Sequence, residues 1–276
     1  MEDHKAKYKF TSASDHAYNL KCCIQFGCFE GQYFEFAGVD TQGVLEVLSW
    51  LELSADISDV EISPRYSNSV QWCSGAYEYE KLHKSHYKKF AFKISRLVFV
   101  WSAFEQLCET IGIDSIVPGN EGPGVKVGKF LQQKDITVHP SFIEMWRHLS
   151  DLYLKHEDFG KKKIKIYPFA ESWDVASLIN LARDVRNKAA HGGSSLRSPE
   201  DYSFGGELPS KCYLCFIDAA VRAVLLTMQM LLSTFLSKKV GEYYCSYSGE
   251  GRALDMSQYL NTLHLAQTEH PDIMHW

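Results

Sequence analysis

The fold class is decided by one apolar segment, Cys212–Leu236, which reads CYLCFIDAAVRAVLLTMQMLLSTFL. Apolar residues occupy nearly every side of the helix that this segment would form, as expected at the centre of a bundle. Asp218, Arg222 and Gln229 interrupt the run, and such polar residues favour a buried helix over a membrane span. We therefore predict a mainly α protein built around this segment.

Further helices are predicted on both sides of the central one. A long helix with apolar residues three and four apart covers Tyr87–Gly112, where a glycine ends it. A second begins at Pro140, and a third covers Ser172–Gly192, with the serine as N-cap and the glycine as terminator. A last helix is predicted within residues 255–267. The glycine-rich stretch PGNEGPGVKVGK, residues 118–129, is predicted to be a flexible loop without the spacing of a phosphate-binding loop.

The chain divides into three predicted ranges. Residues 1–82 have a mixed texture and are predicted to form a small α+β region with a sensing or regulatory role. Two short strands are expected in residues 19–39, because aromatic and cysteine residues alternate there with glycines. Residues 83–238 form the helical bundle, and residues 239–276 form a C-terminal extension.

Composition restricts the class of protein. The chain has 276 residues, 45% of them hydrophobic and 23% charged, which is typical of a globular protein. A net charge of −5 argues against a protein that coats nucleic acid, although it permits an enzyme with one small basic cleft. The N-terminus lacks the apolar core of a secretory signal, so we expect a cytoplasmic protein with no membrane association.

The eight cysteines are expected to be thiols rather than a disulfide framework. Cys212 and Cys215 have the spacing of a redox or zinc pair, but no second close pair matches them, so two core thiols are predicted. The histidines at 264, 270 and 275 lack ligand spacing and are interpreted as part of a tail. No metal site is predicted.

The stretch ARDVRNKAAHGG, Ala182–Gly193, contains the candidate site. At about 100° per residue, Arg186 falls within an apolar stripe formed by Val175, Leu178, Ile179, Ala182, Val185 and Ala189. A charged side chain in such a stripe is unfavourable unless it meets an anion or reaches a water-filled cleft. Asn187 and His191, four residues apart, share the adjoining face.

These three residue types suit phosphate chemistry without a metal. A histidine can move a proton near neutral pH. An arginine can hold a phosphate and stabilise the charge that develops on it during attack. An asparagine amide can orient either the histidine or the substrate. The same residues also permit a plain alternative, a helix end at which Arg186 reaches solvent and His191 bonds a last-turn carbonyl.

The segment Arg186–His191, RNKAAH, resembles the R-x4-6-H motif of the HEPN superfamily, in which a polar residue usually follows the arginine. The resemblance covers roughly residues 87–236 and implies a compact HEPN-like helical bundle. It also implies a homodimeric, metal-independent endoribonuclease that needs no cofactor and has a composite active site. The 2′-hydroxyl of RNA would attack the adjacent phosphate and leave 2′,3′-cyclic phosphate and 5′-hydroxyl ends.

By this resemblance, Arg186 would clamp the phosphate, His191 would serve as acid or base, and Asn187 would orient the reacting groups. Glu105 on the long helix is a possible accessory residue, since acidic residues recur near the site in some relatives. Candidate contacts to the RNA backbone are Arg183, Lys161, Lys162, Lys163 and Lys165.

The first functional hypothesis is a ribonuclease of the toxin or phage-defence effector type, with a possible antitoxin or sensor partner. The second is a non-catalytic HEPN-type module used for dimerisation or for binding a partner or nucleotide. A third is a nucleotide-binding accessory protein that works beside a nucleotidyltransferase. An arginine on an apolar stripe favours the first, because a scaffold has no need of a cation there.

Overall fold

A computed structural model describes residues 8–30, 34, 40–62, 74–134, 140–155, 175–190, 209–236, 242–245 and 252–266. The described residues are mainly helical, which confirms the predicted mainly α class. The helices are α1 (Ala13–Gln25), α2 (Thr41–Asp56), α3 (Ser74–Thr110), α4 (Ile113–Ile116), α5 (Pro123–Gln132), α6 (Pro140–Lys155), α7 (Val175–Ala190), α8 (Pro209–Ser233) and α9 (Met256–Thr262). Two short strands, β1 (Glu242–Cys245) and β2 (Arg252–Asp255), pair antiparallel with Glu242 opposite Asp255.

Helix α8 lies at the centre of the bundle, as its all-round apolar sequence predicts. It contacts α1, α3, α5, α6, α7 and α9. Nearly every side chain from Phe216 to Leu232 is buried. The span Leu214–Ser233 is long and apolar enough to cross a membrane, but 78% of its apolar window is buried inside the protein, as in the core helix of a globular fold.

The N-terminal residues correct one prediction. Two strands were expected in residues 19–39, but α1 and a π-helical turn, Phe26–Glu30, occupy residues 19–30. Phe34 forms an isolated β-bridge with Leu236, and the rest of the range lies outside the described residues. Helix α1 begins at Ser12, whose Oγ accepts a hydrogen bond from the Asp15 backbone N–H at 3.0 Å. Within the described part of residues 1–82, Phe10 and Phe34 form isolated β-bridges and no residue belongs to the β1–β2 sheet, so the α+β character stays a prediction.

The three predicted ranges share one hydrophobic core. Helix α3 continues through the boundary at residues 82 and 83, and α2 packs along it. A single cluster of buried residues includes Leu20 and Leu51 from the first range, Phe104 from the second and Leu260 from the third. The three ranges therefore pack into one core, and the domain boundaries at residues 82/83 and 238/239 stay a prediction.

A second prediction, the flexible loop between α3 and α6, is corrected by the structure. Gly112 ends α3 in a left-handed conformation with φ of 69°, as a terminating glycine does. The flexible loop predicted for residues 118–129 is instead half helical, because α5 begins at Pro123. Proline is favoured at a first helical position, where no backbone donor is required.

The two described ends of the chain pair with each other. The N–H of Thr11 donates to the His264 carbonyl at 3.1 Å, and the N–H of Ala266 donates to the Lys9 carbonyl at 2.8 Å. His264, which the sequence placed in a tail, is fully buried between these segments and the bundle. The interpretation of His264 as tail was therefore wrong.

Candidate functional site

The C-terminal half of α7 carries the candidate site, and its apolar stripe is as predicted. Leu178, Ile179, Ala182 and Val185 are each no more than 1% exposed. Arg186 directly follows this buried stripe in the chain and is itself only partly buried. A guanidinium thus lies at the margin of the core, where it retains access to solvent.

Two glycines of α5 bring that helix against α7. A side-chain carbon built on Gly124 would lie 3.5 Å from Ile179, and one built on Gly128 would lie 2.8 Å from the Cβ of Ala176. Because the numbers rise along α5 as they fall along α7, the two helices run antiparallel. These glycines therefore allow close helix packing, which explains why they occur in a helix rather than in the predicted loop.

This packing leaves the C-terminal end of α7, which carries the candidate site, beyond the start of α5. Ile179 lies opposite Gly124, one residue after α5 begins. Arg186 is seven residues further along α7, about 10 Å along the helix axis. The last two turns of α7 therefore lie past the start of α5.

Within the site, Arg186 and Asn187 contact each other. The Nη1 group of Arg186 donates a hydrogen bond to Oδ1 of Asn187 at 3.1 Å. Among the residues that the structure describes, Arg186 makes no ion pair with a carboxylate. Within that part of the chain, its positive charge therefore has an amide neighbour but no anionic partner.

Of the remaining predicted site residues, the structure describes two, Arg183 and Glu105. Arg183 lies 3.6 Å from Asp184, and its side chain is 33% exposed. Glu105 is exposed on α3, and its charge helps to raise the pKa of buried Cys108, after burial itself. Within the described residues, no hydrogen bond or ion pair joins Glu105 to Arg186. The other predicted site residues, His191, Lys161, Lys162, Lys163 and Lys165, lie outside the described residues.

Sequence reasoning missed a second group of polar residues, which we call the polar cluster: His16 on α1, Ser141 on α6, Arg222 and Gln229 on α8, and His264 after α9. Four of these side chains are at most 1% exposed, and Arg222 is partly buried. The polar interruptions in the α8 sequence were the available signal, although they were used only to argue against a membrane span.

Hydrogen bonds in the polar cluster run in one direction. The carbonyl of Leu260 can only accept, so the group 2.6 Å from it must be the NH2 of Gln229. That leaves Oε1 of Gln229 to accept from Nε2 of His16 at 2.5 Å. The same NH2 lies 3.3 Å from Nδ1 of His264, which must then accept.

This direction excludes a nucleophilic role for Ser141. With Nδ1 of His264 accepting, its proton is on Nε2, 2.6 Å from Oγ of Ser141. The imidazole therefore offers Ser141 a proton rather than a lone pair and cannot act as the base that activates a hydroxyl. Ser141 and His264 have the spacing of a catalytic pair but the polarity of a structural one.

Electrostatics support this interpretation. Burial and, to a lesser degree, the nearby Arg222 lower the pKa of His16, the Gln229 hydrogen bond opposes them, and the net value is about 3. His16 is thus neutral at physiological pH. A neutral imidazole is the form that can be buried beside an arginine without repulsion.

Burial disfavours the reactive thiolate form at three of the described cysteines. Cys22, Cys23, Cys28, Cys108 and Cys215 are free thiols, as expected for those five. Burial raises the pKa of Cys28 to about 12 and raises those of Cys23 and Cys108 as well. Cys215 is exposed, so the prediction of a core thiol was wrong for it, and the side chain of Cys212 lies outside the description.

Comparison of the chain with family models, curated proteins and solved structures returned no match. In the part of the chain that the structure describes, no group of three or more histidine, cysteine, aspartate or glutamate side chains is arranged to hold a metal ion.

Proposed function

We propose that this chain is a metal-independent endoribonuclease of the toxin or phage-defence effector type, acting in the cytoplasm as a HEPN-like homodimer. The observation that carries the proposal is the position of Arg186. It follows the buried stripe of α7, remains partly exposed and has no carboxylate partner among the described residues. A cation held at the edge of a core without an anion is suited to receive one from a ligand.

In the proposed reaction, the 2′-oxygen of a ribose attacks the neighbouring phosphorus, and a base removes the 2′-proton. The bond from phosphorus to the 5′-oxygen breaks, and an acid protonates that oxygen as it leaves. The products are a 2′,3′-cyclic phosphate and a 5′-hydroxyl end. Arg186 neutralises the charge that grows on the phosphate oxygens, and His191 transfers a proton.

Asn187 positions the arginine in this scheme. Its Oδ1 accepts one N–H of the guanidinium and so fixes the direction of the other donors. Arg183, Lys161, Lys162, Lys163 and Lys165 contact the RNA backbone. A second copy of the chain completes the site, Glu105 is an accessory residue, and an antitoxin or sensor protein restrains the activity.

The proposal is tested by analysing the ends of RNA incubated with purified protein in EDTA. We expect cyclic-phosphate and 5′-hydroxyl ends from the wild type and a rate at least about 100-fold lower for Arg186→Ala and His191→Ala. Arg147→Ala, which removes an exposed arginine of α6, is the matched control and should cleave normally.

Silence of the wild type towards transfer, ribosomal and messenger RNA would contradict the ribonuclease proposal. The non-catalytic HEPN-type module would then be the better hypothesis. Measuring the molecular mass of the same samples in solution tests this second hypothesis, because a module used for dimerisation would remain a dimer while lacking activity.

A further inference from the structure

A short segment at the N-terminus covers the polar cluster. We call Tyr8–Ser12 the strap. It is held by the two backbone hydrogen bonds to the segment after α9 and by the Tyr8 N–H, which donates to Oε1 of Glu144 at 3.3 Å. The ring of Phe10 stacks on the imidazole of His264 with centroids 6.1 Å apart.

Phe10 packs against the hydrophobic core, but no side chain of the strap is fully buried. Phe10, Tyr8 and Thr11 are partly exposed, and Lys9 and Ser12 are exposed. Segments with few buried apolar contacts open locally at much lower free energy than the global unfolding of the protein. Helix α8 is the opposite case, since it is buried along most of its length.

Beneath the strap lies a guanidinium with incomplete bonding. Nη2 of Arg222 donates to the carbonyl of Thr11, whereas Nη1 is buried without a hydrogen-bond partner in the described residues. Nδ1 of His16 is also buried without one. Lifting the strap would release Nη2 and expose unpaired groups, which lowers the free energy of opening.

The carboxylates that act on Arg222 are bonded elsewhere. Asp218 and Asp15 favour its charged form, although burial lowers the pKa of Arg222 overall. Asp218 pairs with Lys93, and Oδ2 of Asp15 accepts from the hydroxyls of Thr11 and Ser12. Arg222 therefore forms no ion pair among the described residues.

We propose that the polar cluster is a binding site for a small oxyanion of the phosphate class, centred on Arg222 and gated by the strap. In the closed state, Nη2 of Arg222 donates its hydrogen bond to the Thr11 carbonyl. In the open state, both terminal nitrogens of Arg222 can donate hydrogen bonds to two oxygens of the same oxyanion. This site is on α8 and is independent of Arg186.

The choice of an oxyanion follows from the donors. A guanidinium offers paired N–H groups in a plane that matches two oxygens of a phosphate, and an anion binds it more strongly than a carbonyl does. His16 is neutral and places no competing positive charge beside the site.

The test is a titration of the full-length protein with inorganic phosphate at pH 7, with ionic strength held constant by chloride. Hydrogen exchange is followed at the amides of Thr11 and Ala266, which bond across the strap. We expect phosphate to accelerate exchange at both amides while amides within α8 stay protected. Arg222→Gln should weaken the phosphate response at least 10-fold.

A second variant changes the strap without changing the anion site. Phe10→Ala removes the ring stacked on His264 and populates the open state more. The apparent affinity for a ligand rises in proportion to the population of its binding-competent state. We therefore expect phosphate to bind about 3-fold to 10-fold more tightly to Phe10→Ala, with Phe29→Ala, an exposed residue outside the strap, as the matched control.

The two variants thus shift the phosphate response in opposite directions. Unchanged exchange at Thr11 and Ala266 in both the wild type and Phe10→Ala, up to the highest phosphate concentration, would overturn the proposal. Equal responses of Phe10→Ala and Phe29→Ala would also overturn it, even if Arg222→Gln failed to fold.

Discussion

Two groups of polar side chains lie on or beside the inward faces of helices, and they differ in burial and in hydrogen bonding. In the polar cluster, Gln229 bonds three different groups and is 1% exposed. At the end of α7, Arg186 makes one hydrogen bond within the described part of the chain, to its neighbour Asn187, and remains partly exposed. The comparison indicates that Gln229 serves the fold, and it is the reason for our proposal that Arg186 is kept for a ligand.

The difference should appear as opposite responses to the same kind of mutation. Replacing a residue that satisfies buried groups leaves those groups unpaired, which is costly. Replacing a cation at the margin of an apolar stripe removes an unfavourable charge. Stability and activity should therefore separate between the two groups.

The largest expected effect on stability is that of Gln229→Leu. The change leaves Nε2 of His16, the carbonyl of Leu260 and Nδ1 of His264 without this partner. At about 1 kcal/mol or more for each unsatisfied buried group, the loss should reach at least about 3 kcal/mol. Urea unfolding at pH 7 measures it, and a loss below about 1 kcal/mol would show that the chain of hydrogen bonds is not structural.

Acid should weaken the polar cluster through His16. Its pKa is about 3 in the fold against 6.5 when unfolded, so the unfolded state binds more protons between these values. The contribution of His16 to the free energy of unfolding is fully present above pH 6.5. It falls by up to about 1.4 kcal/mol per pH unit as the pH drops towards 3. Between pH 6.5 and 4.5 the loss due to this group should be about 2–3 kcal/mol.

The His16 contribution is isolated by comparing the wild type with His16→Gln across that range. Gln retains a donor but does not titrate, so the variant should lose less stability on acidification. Parallel pH profiles for the two proteins would assign the acid sensitivity to other groups.

The contact that positions α7 is tested by a matched pair of glycine substitutions on α5. Gly128→Ala places a carbon 2.8 Å from the Cβ and 2.9 Å from the Cα of Ala176, so backbone must move. We expect a loss of about 1–3 kcal/mol. Gly124→Ala meets only ordinary contacts and should be neutral or up to about 1 kcal/mol stabilising through helix propensity. Similar thermal midpoints for both variants would contradict the close packing.

The smallest expected effect on stability is that of Arg186→Leu. A leucine extends the apolar stripe, so stability should change by less than about 1 kcal/mol in either direction. A loss of about 3 kcal/mol in urea unfolding, like that expected for Gln229→Leu, would place Arg186 among the structural residues and remove the basis of the comparison.

Much of the helical fold was predictable because helix periodicity is a local signal. The central position of α8 followed from apolar residues on all its sides, and the buried stripe of α7 followed from 100° per residue. The strand prediction was wrong for residues 19–30, where the spacing of the apolar residues, rather than the content of aromatics and cysteines, decides the structure. Ala17, Leu20 and Ile24 have helical spacing and are all buried.

The errors elsewhere concern contacts that are distant in sequence. Gly128 has the composition of a loop residue, and only its contact with Ala176 on another helix explains a glycine in α5. The polar cluster joins His16 to Gln229, 213 positions apart, and Ser141 to His264, 123 positions apart. No local pattern predicts such pairs, whereas the Arg186–Asn187 contact lies within one turn of one helix.

The central claim, that Arg186 is kept for a ligand, is tested most directly by the single-turnover rate of RNA cleavage in EDTA for Arg186→Leu beside the wild type and Arg147→Leu. We predict that Arg186→Leu is as stable as the wild type and at least about 100-fold slower, while Arg147→Leu cleaves normally. Full activity of a folded Arg186→Leu protein would contradict the claim.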